Sequence, residues 1–167
     1  MRKELIDLIN DDMEIRHKEL SESVRLTKKL LQLRLKDLDK TWEKVIKEKP
    51  ELADDIMDDI VWYDAIENQI IIQYGIWRLH SLFEKIMRQE LLKNGKTVWS
   101  FKEILKEMKD SLSIDKSLVE NVRLWGELRN RLSHRPMDRL SFSSLSIEDL
   151  ECQLKLYNDC LGKINAA

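Results

Sequence analysis

Glycine and proline are scarce in this chain, four and two residues in 167, which leaves little material for the tight turns of a β-rich fold. No segment carries the two-residue alternation of a strand either. Charge of one sign is not in excess: 29 Lys and Arg face 31 Asp and Glu, so the protein as a whole is no polycation and any affinity for RNA must be local. No apolar run reaches the length of a membrane span, and the opening MRKELIDLINDD is too charged for a secretory leader. The two cysteines, Cys152 and Cys160, lie eight residues apart on one predicted helix. That separation is about 12 Å along the axis, too far for a bridge within the helix, and it is no zinc-ligand spacing. Two unpaired thiols without a leader or a span lead us to expect a soluble cytoplasmic protein. Walker loops, dinucleotide glycine patterns and Gly-x-Ser-x-Gly elbows are missing as well, which removes the commonest nucleotide-binding and hydrolase classes.

What is there is helical periodicity. At 167 residues the chain suits one all-α domain, an up-and-down bundle of about five helices with a long N-terminal helix. Residues 1–49 read as a helical extension that breaks near Ser21-Glu22-Ser23. Its seam is Val24, Leu31, Leu35, Leu38, Trp42 and Val45, and it serves either as a peripheral bundle helix or as a clamp on a partner subunit. Pro50 ends it. Residues 51–164 read as the bundle core. Its main helix, Glu51 to Lys93, begins with acidic residues that suit a helix N-terminus and closes with a left-handed cap at Asn94-Gly95. Within it IIIQYGIW, from Ile70 to Trp77, is apolar on almost every side. This predicts a helix buried all round, with Gly75 allowing a second subunit to approach closely. Ser100 and Glu103 predict a capping box with a Trp99–Ile104 staple, and Ser117 and Glu120 predict a second box. After a Ser-rich loop from Arg135 to Ser146, the last helix carries Leu150, Leu154, Tyr157, Leu161 and Ile164 at bundle spacing.

The informative stretch is NVRLWGELRNRLSHRPMDR, Asn121 to Arg139. On a helix, Leu118, Val122, Trp125 and Leu132 share one face, and Arg129 falls in the middle of that apolar stripe. An unpaired buried guanidinium costs several kcal/mol, so Arg129 needs an anionic partner, a wet interface or a ligand. A carboxylate such as Glu84 on the core helix is the plain structural partner. Asn130 and His134 lie on one side, and Pro136 disfavours helix at Arg135, which places His134 in the last turn, where exposed carbonyls favour its charged form. Arg123, Arg129, Arg131, Arg135 and Arg139 stand against only Glu127 and Asp138 in this stretch, a local cationic patch.

Arg129-Asn130 followed by His134 at a helix end, with four residues between the Arg and the His, resembles the motif of the HEPN superfamily. The resemblance covers roughly Glu51 to Ile164. It implies an endoribonuclease that cleaves RNA without metal or cofactor, by attack of a ribose 2′-OH on its own phosphate. Arg129 would hold the phosphate, His134 would be general acid or base, and Asn130 would orient His134 or the phosphate by hydrogen bonds. Arg123, Arg131, Arg135 and Arg139 are the candidate RNA contacts. The resemblance further implies a homodimer with two motifs facing one cleft, and a role as a toxin or in antiphage defence. Some relatives are silenced by an antitoxin, a nucleotidyltransferase that modifies a tyrosine two residues after the histidine. Pro136 occupies that place here, a departure from that mode. A non-catalytic HEPN-like dimer that binds nucleotide, RNA or protein is the competing expectation, and a purely structural helical dimer is a third.

Two further histidines weigh less. Glu14 and His17 have the three-residue spacing of a diiron ligand pair but lack the second pair such a site needs, so no metal is expected. His80, inside the core helix, reads as a satisfied core or interface histidine.

Overall fold

The computed structural model describes residues 17–134 and 145–165, with only the backbone of Tyr63, His134 and Asn165. These residues form five α-helices and no strand, as composition demands: α1 Lys18–Glu48, α2 Ala53–Lys93, α3 Phe101–Asp110, α4 Lys116–His134 and α5 Ile147–Asn165. A single turn of 3-10 helix, Pro50–Leu52, joins α1 to α2.

The start of the N-terminal helical pattern lies outside the described residues. Within them α1 runs unbroken through Ser21-Glu22-Ser23, contrary to expectation. Leu20 and Val24 are buried on either side of Ser23, which is buried with them, and this packing outweighs the weak helix propensity of serine. The expected seam holds for Val24, Leu31, Leu38, Trp42 and Val45 but not for Leu35, which is exposed. Thr27 and Arg34 complete the row instead, and Arg34 reaches Glu67 of α2. Leu35 is one residue, about 100°, away from that row.

α2 has 41 residues, about 61 Å, whereas α4 and α5 have 19 each, about 28 Å. The bundle therefore covers only part of α2. From Ala53 to Ile71 no described side chain is fully buried, while Ile72, Ile76, Leu79, Phe83, Ile86, Met87 and Leu91 enter the core. The expectation that IIIQYGIW is enclosed on all sides is not met: Ile70, Tyr74 and Trp77 are 47%, 52% and 37% exposed. Neighbouring helices cover one side of α2 and leave the other open. Gly75 also serves a different contact from the one expected. A Cβ at Gly75 would lie 2.8 Å from Thr27, so its close approach is to α1 of the same chain.

The helix ends explain how α2 hands over to α4. Gly95 has φ +72°, its N–H bonds Leu92 O at 2.9 Å, and the Lys96 N–H bonds Leu91 O at 2.9 Å, the paired bonds of a Schellman cap. The capping box at the start of α3 is complete, with Glu103 N–H on Ser100 Oγ and the Glu103 carboxylate on the Ser100 N–H, both at 3.2 Å. The staple is absent, because Trp99 is 82% exposed while Ile104 is fully buried. Val98 is the buried residue before this cap. α4 starts at Lys116, so Ser117 sits inside its first turn and opens no second box. The buried pair Ile114 and Val119 sets that register, with the Val119 N–H bonded to Asp115 O.

Candidate functional site

Val119, Val122, Gly126 and Leu132 turn one face of α4 into the core, with Trp125 and Leu128 partly buried beside them. Arg129 occupies the same face, as its position in the apolar stripe requires, and is half-buried. Its guanidinium lies over the ring of Trp77 on α2, Cζ 6.0 Å from the centroid, within the range of a cation–π contact. One terminal nitrogen donates to Asn130 Oδ1 at 3.0 Å. Nε is buried and has no hydrogen-bond partner among the described residues. A buried donor left idle costs about 1–3 kcal/mol, so this atom is either a local defect or a group held for something else.

The expected structural partner is taken. Glu84 accepts from Arg88 at 2.7 Å, and Arg88 also donates to Val98 O at 2.6 Å. Among the described residues no carboxylate lies within ion-pair distance of Arg129. A cavity of about 500 Å³ opens beside it, lined by Ser81, Glu84, Lys85, Arg88, Gln89, Leu92 and Arg129. Three cations and one carboxylate make its wall net positive, and the volume falls in the range of small-ligand sites. With Glu84 bound to Arg88, the Lys85 and Arg129 charges are left to act on an anion.

Behind the cavity His80 is buried, with Nδ1 2.5 Å from Tyr157 Oη. Gln153 Nε2 donates to the same phenolic oxygen at 3.0 Å and lies 3.4 Å from Ile76 O. The Phe101 ring meets the imidazole edge-on at 4.8 Å. Burial, with a smaller contribution from the Arg129 charge, pushes His80 down to about 4, and burial pushes the Tyr157 phenol up. His80 is thus a neutral, satisfied core histidine at ordinary pH, as the sequence leads one to expect.

Of the other residues singled out from the sequence, Asn130 and Arg131 are exposed on α4. Arg123 is bound to Glu120 through Nε at 2.9 Å and also contacts Glu127, so its charge is balanced within its own helix. The Glu120 carboxylate holds the Arg123 guanidinium above its ordinary range. His134 is the last described residue of α4; its side chain lies outside the described residues, as do Arg135, Pro136 and Arg139, so the expected helix stop before Pro136 falls outside them too. Glu14 of the Glu14–His17 pair lies outside them too. The structure brings to Arg129 a set that sequence reasoning missed: Trp77, Ser81, Lys85, Arg88 and Gln89. The available signal was a row along α2, Tyr74, Trp77, Ser81, Lys85, Arg88 and Leu92 at steps of three and four, which turns from aromatic to polar part-way.

Among the described residues, no helix is long and apolar enough to cross a membrane. No protein-family model matches the chain, and no match is found among curated proteins or solved structures.

Proposed function

We propose that this chain is a metal-independent endoribonuclease of HEPN type, acting as a toxin or in antiphage defence. The observation that carries the reading is Arg129: a half-buried guanidinium on an apolar helix face, with no carboxylate partner and no acceptor for Nε among the described residues, and a net positive cavity beside it. In this reading a ribose 2′-oxygen attacks the adjacent phosphorus and the bond from phosphorus to the 5′-oxygen breaks. The products are a 2′,3′-cyclic phosphate and a 5′-OH. Arg129 holds the phosphate oxygens and favours the more highly charged transition state. His134 accepts or donates the proton, a role worth about 10²–10⁴ in rate. Asn130, already bonded to Arg129, fixes the guanidinium or the phosphate. A second copy of the chain would bring its own Arg129 and His134 to the same cleft.

The test is incubation of the purified protein with total RNA in chelator, with fragment ends mapped. Cleavage leaving 2′,3′-cyclic phosphates, lost in both Arg129→Ala and His134→Ala while helicity and melting persist, is the expected result. Intact RNA under all conditions rejects the reading.

A second reading is a non-catalytic HEPN-like module that binds nucleotide, RNA or a partner protein. Exposed Leu30, Leu33 and Val61 on α1 and α2 favour it, since a partner would cover them. RNA binding by the full chain without any fragment ends distinguishes it.

A further inference from the structure

Tyr74 and Trp77 stack on each other one turn apart on α2, ring centroids 6.1 Å apart and planes 24° off parallel. Both are exposed, 52% and 37%, on the side of α2 that none of the described helices covers. Aromatic rings left in water lose the stabilisation of burial, and the adjacent residues show what would restore it. Arg129 stands over Trp77, and the same row of α2 continues through Ser81 and Lys85 into the cationic cavity. From Tyr74 to Lys85 the rise is about 16 Å. A stacking surface at one end of a short track, and along it two cations, Arg129 and Lys85, with no carboxylate partner among the described residues, match an unstacked nucleic acid strand, whose bases present flat π-faces and whose phosphates are anionic. A protein helix laid on this face would meet the apolar end well but would have to bring carboxylates to Lys85 and Arg129. A duplex would offer phosphates but no free base for the rings.

We infer that Tyr74 and Trp77 form a base-stacking platform that seats single-stranded RNA next to Arg129, with Lys85 taking a neighbouring phosphate. The choice of RNA as ligand rests on the ribonuclease reading; the platform itself rests on the ring geometry and the two cations beside it, which have no carboxylate partner among the described residues. Tyr74, Trp77 and Lys85 are positioning residues. They set which strand enters and where its phosphate lies relative to Arg129.

The probe is a fluorescently labelled octamer of 2′-O-methyl RNA, which binds as RNA does but has no 2′-OH to attack. It is offered to the full chain as a single strand and as a duplex, with binding read by anisotropy at several salt concentrations. The single strand binds and the duplex binds more weakly. Tyr74→Ala and Trp77→Ala each weaken single-strand binding by roughly 5- to 150-fold, the range of one lost base stack. Trp77→Phe retains most of the affinity. Lys85→Ala lowers the slope of log affinity against log salt by about 0.7, one phosphate contact on a single strand. Wild-type affinity in both alanine variants overturns the platform. So does a shift of those variants from dimer to monomer in sedimentation with octamer affinity unchanged, since the rings then belong to a subunit interface. Cleavage of ordinary RNA is scored separately. Ring-dependent binding without cleavage keeps the platform and rejects the catalytic reading; Arg129-dependent cleavage with KM unchanged in Tyr74→Ala does the reverse.

Discussion

His80 Nδ1 lies 2.5 Å from the Tyr157 hydroxyl, and that hydroxyl is itself the acceptor of the Gln153 amide at 3.0 Å. A hydroxyl that already accepts from Gln153 has its own proton to give, and donating it to Nδ1 suits a neutral imidazole whose proton is on Nε2. This chain of bonds joins α2 to α5 in the core, a short distance behind Arg129.

Holding His80 neutral makes stability depend on acid. Its folded value is about 4 against an ordinary 6.5 in the unfolded chain. Above 6.5 neither state binds the proton, so the fold is not penalised. Between 6.5 and 4 the unfolded chain takes up a proton that the folded chain refuses, and stability falls as pH falls, by about 3 kcal/mol in all. Below 4 this dependence ends. Urea unfolding from pH 7.5 to 4 is expected to show the loss, and a resonance assigned to His80 that titrates in the folded protein near 6.5 would refute it. Arg129→Gln removes the smaller of the two causes and is expected to raise the His80 value.

Tyr157→Phe keeps the ring stacked on Phe83, 4.0 Å between centroids and 11° between planes, but strips the hydroxyl. His80 Nδ1 then loses its donor and Gln153 its main acceptor. A loss of about 1–3 kcal/mol in urea unfolding is expected, with a folded far-ultraviolet spectrum. An unchanged midpoint would mean the hydroxyl contributes nothing.

Two glycines on neighbouring helices should respond in opposite senses. A Cβ at Gly126 would fall 2.3 Å from Phe101 Cε1, so Gly126→Ala must displace the ring that meets His80 edge-on. We expect about 1–3 kcal/mol of destabilisation and a shifted His80 resonance. Gly162 on α5 has nothing within 4 Å of its Cβ position, and Gly162→Ala is expected to stabilise by about 0.5–1 kcal/mol. Thermal melts of the two variants check both signs.

The cysteines should differ sharply towards a thiol reagent. Cys152 is exposed, whereas Cys160 is buried, and its burial, with the nearby Asp159 charge, pushes its thiol up to about 12. A reagent added at pH 8 should modify Cys152 at once and reach Cys160 only when denaturant opens the core. Equal rates at the two sites would show that α5 does not pack as described.

Local chemistry alone determined a good deal here. The helical class, the Gly95 cap, the Ser100–Glu103 box and the place of Arg129 on an apolar face follow from neighbours within a turn or two, and such interactions are legible in order along the chain. The tertiary structure decided whatever depends on which side of a helix another helix covers. It left Tyr74 and Trp77 open where apolar residues all round predicted enclosure, set Gly75 against Thr27 of the same chain, and laid Arg129 over Trp77 with no carboxylate among the described residues within ion-pair distance. Periodicity reports that a face is apolar; only packing settles what lies against it.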